Sequence, residues 1–158
     1  MRTDLPTGVV TLLFTDIEGS TRLLSELRAA YVEALAEHRR IIREAAAAHG
    51  GIEVDTQGDS FLLAFPRPSG AVAAAVAAQR GLAGGPIKVR MGLHTGEPWI
   101  AEEGYVGIDV NRAARIAHIG QGGQVLLSEV TAGLLKRNLP QARVRITVSS
   151  GACSANSV

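Results

Sequence analysis

The fold is decided by residues 10–21, which read VTLLFTDIEGST. The run from Val9 to Phe14 is apolar and β-prone without polar alternation, which predicts a strand buried on both faces. Asp16 then stands at the carboxyl end of this strand, where open α/β sheets bind ligands. The glycine and hydroxyl residues that follow predict a turn into a helix capped by Ser20, and such a helix N-terminus favours an anion.

A carboxylate at this position conflicts with an anion site, because Asp16 would repel a phosphate. A divalent cation between Asp16 and phosphate oxygens resolves the conflict. The alternative is an ordinary strand followed by a capped helix, with Asp16 as a turn residue. These twelve residues alone support both interpretations equally.

The composition is that of one domain with a sizeable core, since the chain has 158 residues and a net charge of +1. This charge balance indicates neither a nucleic-acid partner nor a membrane partner. Residues 1–6 lack an apolar leader, and the apolar run at 70–78 is too short to span a bilayer. One cysteine, Cys153, excludes an internal disulfide. We therefore expect a cytoplasmic protein.

The hydrophobic periodicity predicts elements in the order β-α-β-β-α-β, followed by α-β-α. Helical spacing from Ser20 to Ala48 allows one long helix, or two shorter ones with a break near residues 28–30. The order predicts an α+β fold with a ferredoxin-like βαββαβ core and additional C-terminal α/β elements. We place the domain at residues 1–140, and a partly disordered tail of small polar residues at 141–158.

A second carboxylate, Asp59, lies in the predicted hairpin turn of QGDSF, residues 57–61. In a ferredoxin-like sheet this hairpin neighbours the first strand, so Asp16 and Asp59 can meet. Paired carboxylates need a proton or a cation between them, and hard oxygen donors favour Mg²⁺ or Mn²⁺. Two such ions serve phosphoryl chemistry. The four histidines show no ligand spacing and are predicted to be surface or structural residues: His38, His49, His94 and His118.

A third informative segment is VGIDVNRAARIA, residues 106–117. Asn111 and Arg115 are four residues apart, hence on one helical face. An amide and a guanidinium together suit recognition of a sugar and a phosphate. Taken alone, the segment favours the alternative of an amphipathic helix with solvated Asn and Arg side chains.

Four motifs in order resemble the catalytic domain of class III adenylate/guanylate cyclases, particularly those of the actinobacterial branch. They are FTDIEGST (14–21), QGDSF (57–61), GLHTGE (92–97) and VNRAAR (110–115). The resemblance extends from Val9 to Leu135. It implies the class III nucleotide cyclase fold and a homodimer in which opposite subunits complete each site.

The resemblance also implies roles for individual residues. Asp16, Asp59 and the Ile17 carbonyl would hold two Mg²⁺ or Mn²⁺ ions. Asn111 would orient the ribose, and Arg115 would stabilise charge on the α-phosphate while the 3′-hydroxyl attacks it, giving a 3′,5′-cyclic monophosphate and pyrophosphate. The triphosphate would lie against the backbone of Ile17, Glu18, Gly19, Ser20 and Thr21.

The sequence departs from the family pattern at three places. Asp55 and Gly104 stand where adenine-specific members carry Lys and Asp to read the base. Glu97 replaces a residue that is often basic. A late lysine for the β- and γ-phosphates has no clear equivalent, and Arg143 and Arg145 are the candidates to replace it.

These departures predict low activity, because each lost charge-assisted contact costs roughly 1.5–3 kcal/mol. ATP is the expected substrate, ahead of GTP, since it is the commoner substrate of bacterial relatives. The alternative is a degenerate cyclase domain that serves as a nucleotide-binding or dimerisation module. A diguanylate cyclase also fits the paired carboxylates, but the chain lacks the Gly-Gly-Asp/Glu-Glu-Phe signature.

Overall fold

The structure is a computed structural model that describes residues 2–135 and the backbone of residues 146–149. Eight strands and five helices lie within these ranges. In chain order they are β1 (Val10–Ile17), α1 (Ser20–Leu27), α2 (Ala29–Ala48), β2 (Ile52–Gln57), β3 (Ser60–Phe65), α3 (Pro68–Leu82), β4 (Val89–Gly96), β5 (Trp99–Ile100), β6 (Tyr105–Val106), α4 (Ile108–Ile119), β7 (Val125–Ser128), α5 (Glu129–Leu135) and β8 (Ile146–Ser149).

The main sheet has six strands in the order β2-β3-β1-β4-β7-β8. Strand β1 lies in the middle and pairs antiparallel with both β3 and β4. Strands β7 and β8 extend the β4 edge by parallel pairing. The order β2-β3-β1-β4 is that of a ferredoxin-like core, so the predicted α+β fold with C-terminal additions is confirmed.

The two faces of the sheet are covered by different elements. Alternate residues of β1, such as Leu13 and Ile17, pack in a core with the helices α2 and α3. The opposite residues, Leu12 and Phe14, face a second core that includes Ala113 of α4. Because strand side chains alternate, Asp16 lies on the α4 face with Leu12 and Phe14.

The helical segment after β1 is two helices, which decides between the alternatives left open above. Arg28 separates α1 from α2 with a φ of 50°, a conformation that only this non-glycine residue adopts within the described chain. The cap prediction was wrong, because Gly19 in a left-handed conformation occupies the N-cap of α1 and Ser20 is its first helical residue.

Two further differences concern short or late strands. The ribbon formed by β5 and β6 was not predicted, since strands of two residues show no periodicity. Strand β8 lies within the segment predicted to be a partly disordered tail, where its backbone pairs with β7. The boundary at residue 140 stays a prediction. Residues 136–145 and 150–158, including Arg143, Arg145 and Cys153, lie outside the described residues. In the described part, every helix is too short or too polar for a bilayer crossing.

Helix α4 packs directly on the backbone of β4. A Cβ added at Gly92 would overlap the backbone of Ala113 and Ala117 in α4. Four residues further along β4, a Cβ at Gly96 would overlap the Asp109 carboxylate. The two glycines therefore set the distance between α4 and the sheet.

We expect Gly92→Ala to destabilise the domain by about 1–3 kcal/mol, because the helix must move away from the strand. Gly133→Ala is the matched control, since a Cβ at Gly133 in α5 meets no atom within 4 Å. That control should be neutral, or stabilising by up to about 1 kcal/mol. Urea unfolding of the two variants measures the difference, and equal midpoints would contradict the packing argument.

His38 of α2 is a buried ionisable group, with only 1% of its surface exposed. Its ring lies edge-on to Phe61 of β3 at 5.7 Å between centroids. Burial, with a smaller effect of the neighbouring Arg39 charge, lowers the pKa of His38 to about 4. The imidazole is therefore neutral in the folded protein at neutral pH.

This lowered pKa predicts acid sensitivity. In the unfolded chain His38 takes up its proton near pH 6.5, whereas in the folded protein its pKa is about 4. The unfolded state thus binds more protons between these values, and stability falls by up to about 3 kcal/mol as pH drops through that window. His38→Leu should reduce the slope of unfolding free energy against pH. The same change at the exposed His49 should leave the slope as it is.

Candidate active site

Asp16 lies at the end of β1, between the adjacent strands β3 and β4. In the strand register it faces Ser60 of β3 and Arg90 of β4. The Arg90 guanidinium donates a hydrogen bond to the Asp16 carboxylate and forms an ion pair with it. His118 Nε2 of α4 is 3.5 Å from the same oxygen, Oδ2. A buried carboxylate oxygen is thus approached by two groups that can carry positive charge.

Asp59 lies at the same end of the sheet. The β2–β3 turn has Gly58 in the left-handed region, with a φ of 58°. This turn sets Asp59 beside Ile17, whose N–H donates to the Asp59 carbonyl at 3.3 Å. Asp59 is therefore one residue beyond the Asp16–Ser60 pair. The structure brings the two predicted metal residues to neighbouring strand ends.

The oxygen donors at this end suit a divalent ion. Asp16 and Asp59 stand at neighbouring strand ends, and carboxylate and backbone carbonyl oxygens are the hard ligands that Mg²⁺ and Mn²⁺ prefer. Within residues 2–135, no three His, Cys, Asp or Glu side chains come close enough together to hold a metal ion. An ion here would need ligands from the backbone, the substrate or water.

Of the backbone amides at residues 17–21 that were predicted to bind phosphate, only some are available. The N–H of Ile17 donates to Asp59, and the N–H of Glu18 donates to the Lys88 carbonyl at 2.8 Å. These two amides are committed to the sheet. The first helical bond of α1 runs from Leu23 N–H to Gly19 carbonyl at 3.0 Å. The first-turn amides, among them those of Gly19, Ser20 and Thr21, therefore lack intrahelical partners and remain suited to an anion.

Asn111 and Arg115 are both exposed on α4. Among the described residues, neither side chain forms a hydrogen bond or an ion pair. The buried positions of the same helix, Ala113 and Ala117, face the sheet. The structure thus places the predicted ribose and phosphate residues on an exposed face of α4.

A buried polar network fixes the start of α4. His94 Nε2 is 3.0 Å from Asp109 Oδ1, and His94 Nδ1 is 2.9 Å from Ser128 Oγ. Ser128 Oγ also lies 3.0 Å from Thr131 Oγ1 and accepts the Thr131 N–H, as a helix cap does. The Asp–His–Ser arrangement is buried and joins α4 to β4 and β7, which is the environment of a structural histidine.

Asp55 and Gly104 line one cleft of about 570 Å³ beside α4. A β-bulge between Glu53 and Asp55 turns the consecutive residues Val54 and Asp55 toward it. Gly104 has a φ of 149°, and a Cβ there would lie 3.1 Å from Val54 Cγ1. A side chain at residue 104 is therefore strained, whatever its chemistry.

The sequence interpretation missed four side chains at these sites. Arg90 could have been found, because a charged residue inside an otherwise buried strand needs a charged partner. His118 and the two cleft carboxylates gave no such signal, since their positions depend on how distant segments pack. The four are Arg90, Glu102, Glu103 and His118.

Comparison with known proteins identifies the family. The family model for the adenylate and guanylate cyclase catalytic domain matches residues 4–154. The chain belongs to this family. A relative from Mycobacterium tuberculosis, an uncharacterized protein, is 44% identical over 138 residues, covering 85% of this chain and 48% of that protein. An adenylate cyclase of Lachancea kluyveri is 34% identical over 154 residues, covering 78% of the chain and 8% of that protein.

Solved structures of cyclases share the fold. Adenylate cyclase from Trypanosoma brucei, in its monomeric state, superimposes with a TM-score of 0.76 at 29% identity, covering 84% of this chain and 78% of that one. An adenylate/guanylate cyclase/hydrolase from Silicibacter pomeroyi gives a TM-score of 0.74 at 25% identity, with 81% and 80% covered. The cyclase domain spans about half the length of its mycobacterial relative.

Proposed function

We propose that this cyclase domain converts a nucleoside triphosphate to its 3′,5′-cyclic monophosphate and pyrophosphate, at low rate, in a homodimer. The observation that carries the proposal is the convergence of Asp16, Asp59 and the start of α1 at one end of the sheet. The 3′-hydroxyl loses its proton to water as its oxygen bonds to the α-phosphorus, and the bond from that phosphorus to the pyrophosphate oxygen breaks. Two Mg²⁺ or Mn²⁺ ions, when bound, would stabilise the negative charge that develops on the phosphate oxygens during this displacement.

The residues of the chain divide the remaining work. Asp16, Asp59 and the Ile17 carbonyl would hold the ions. The amides at the start of α1 would bind phosphate oxygens. With a cation bound at Asp16, Arg90 would be free to pair with the triphosphate, since the guanidinium matches phosphate geometry. This role for Arg90 compensates in part for the late lysine that the sequence lacks.

The outward position of Asn111 and Arg115 supports a site shared between two subunits. The same surface carries exposed apolar side chains at Val106 and Ile108, and at Trp99, which is 78% exposed. Trp99 and Val106 pair across the β5–β6 ribbon. An apolar patch beside two unpaired polar side chains is typical of a protein interface. A second subunit would bring its Asn111 and Arg115 to the metal end of the first.

A shared site predicts complementation between two inactive variants. Asp16→Asn and Arg115→Ala should each lose nearly all cyclic nucleotide production, because one removes a metal ligand and the other a stabilising charge. Mixed in equal amounts, they should regain about a quarter of wild-type activity, since half of the dimers then contain one intact site. Chromatographic assay of product from ATP and GTP with Mn²⁺ measures this.

Failure of the mixture to regain activity would contradict the shared site but not the chemistry. No product from either nucleotide in the wild-type protein would contradict the enzyme itself and favour the alternative of a nucleotide-binding or dimerisation module. The emission of Trp99, the one tryptophan of the chain, reports whether the dimer forms, because burial shifts it to shorter wavelength.

The cleft supports GTP as a second candidate beside the expected ATP. Its lining includes the carboxylate residues Asp55, Glu102 and Glu103, without Lys or Arg among the lining residues. Guanine presents N1–H and an amino group on one edge, a donor pair that a carboxylate can accept. Adenine presents an amino group beside an acceptor nitrogen, which a carboxylate repels.

We therefore expect Asp55→Lys to shift the ratio of GTP to ATP turnover toward ATP by about tenfold, the effect of one charge-assisted hydrogen bond. Glu33→Lys makes the same charge change on the exposed surface of α2 and should leave the ratio unaltered. Competition assays with both nucleotides at equal concentration give the ratio directly. An equal shift in both variants would indicate a long-range charge effect instead of base contact.

A further inference from the structure

His118 stands apart from the roles assigned so far. It lies near the end of α4, and its Nε2 atom is 3.5 Å from Asp16 Oδ2. The imidazole is held edge-on to Phe14, with 5.6 Å between ring centroids and an interplanar angle of 72°. Phe14 and Asp16 are alternate residues of β1, so the histidine contacts two successive side chains on one face of the strand.

The position of His118 follows from the packing of α4. The helix backbone at Ala117 lies against Gly92, where a side chain would not fit. Strand β4 pairs with β1 through Gly92 and Phe14. The next helical residue, His118, therefore lies beside β1 and near Asp16. The close packing of the helix backbone on Gly92 sets this position.

Two groups approach the same carboxylate oxygen, but only one can bind a metal. The guanidinium of Arg90 has donors only and keeps its proton in proteins. The imidazole of His118 can present an unprotonated nitrogen, and histidine is the commonest nitrogen ligand of metal ions. When a cation occupies Asp16, Arg90 must withdraw, whereas His118 can stay and share the ion.

We propose that His118 is a nitrogen ligand of the divalent ion held by Asp16, and that it makes this site prefer Mn²⁺ to Mg²⁺. The proposal rests on the metal-dependent function proposed above. Asp16 and His118 would then hold this ion, with the remaining ligands from Asp59, the Ile17 carbonyl, phosphate or water. Both ions prefer oxygen ligands, but Mg²⁺ demands a near-ideal octahedron of oxygens, whereas Mn²⁺ accepts one imidazole nitrogen more readily.

Helix α4 would then contribute residues to both sites of the dimer. Asn111, Arg115 and His118 follow each other at helical spacing and form one polar stripe along the helix. The end of the stripe reaches Asp16 of its own subunit. The exposed part, Asn111 and Arg115, would serve the partner. A shift of α4 would thus alter metal binding in one site and charge stabilisation in the other.

Electron spin-echo spectroscopy of bound Mn²⁺ tests the assignment without reference to turnover. The probe is Mn²⁺ with 3′-deoxy-ATP or 3′-deoxy-GTP, which lack the attacking hydroxyl. The wild-type protein should show the ¹⁴N coupling of a directly bound imidazole, replaced by ¹⁵N coupling when histidine is ¹⁵N-labelled. His118→Phe, which keeps a ring against Phe14, should lose the coupling. His49→Phe, the same change at the exposed histidine that follows α2, should retain it.

Calorimetry adds a second measurement. The affinity for Mn²⁺ should fall by about tenfold or more in His118→Phe, while the affinity for Mg²⁺ stays within about twofold. Bound Mn²⁺ without histidine coupling in the labelled wild-type protein would overturn the proposal, even if the variant failed to fold. An equal loss of both affinities would also overturn it. Absence of any metal binding in the wild-type protein would instead remove the proposed metal-dependent function itself.

Discussion

Helix α4 and strand β4 meet through their backbones, and the candidate site depends on this contact. Gly92 and Gly96 leave no side chain between helix and strand. The helix therefore presents Asp109 to His94 at one end and His118 to Asp16 at the other. Since these contacts span the length of the helix, its rotation and height above the sheet are both fixed. The exposed face that carries Asn111 and Arg115 is then fixed as well.

The Asp16 carboxylate is the charged group on which these packing contacts converge. Its carboxylate is nearly buried, and a buried charge is tolerated only when it is paired. Arg90 supplies that pairing from the adjacent strand. The pair stabilises the fold in the absence of a cation, but a metal ion must compete with the guanidinium for the same oxygen. On the proposed function, metal binding would therefore be opposed by an interaction that folding favours, and phosphate would be a suitable new partner for the displaced Arg90. Such a coupling would link the binding of metal to the binding of nucleotide.

Much of the fold follows from local sequence patterns. The run from Val9 to Phe14 predicts the central strand because apolar residues without alternation must be covered on both faces. The order of elements then predicts the ferredoxin-like core. Sequence could not decide the break at Arg28, because no proline or glycine marks it. It also missed the ribbon of β5 and β6, whose four residues are too few to show a period.

The candidate site was predictable only in part, for a different reason. Asp16 and Asp59 stand out because each is a carboxylate next to a turn signal, and the topology brings their strands together. The pairing of Asp16 with Arg90 depends on the register between β1 and β4, and register is a long-range property. The approach of His118 depends in addition on the missing side chain at Gly92. His118 lies three residues beyond the VNRAAR motif, and only the packing of the helix shows that it approaches Asp16.

The departures at residues 55 and 104 are physically connected. The bulge at Val54 directs Asp55 toward the cleft, and the same Val54 is the side chain that a Cβ at Gly104 would press against. Gly104 also has a backbone conformation that other residues rarely adopt. The edge of the cleft at residues 55 and 104 is therefore shaped by its backbone as much as by its side chains, and a substitution at residue 104 would strain the loop before β6.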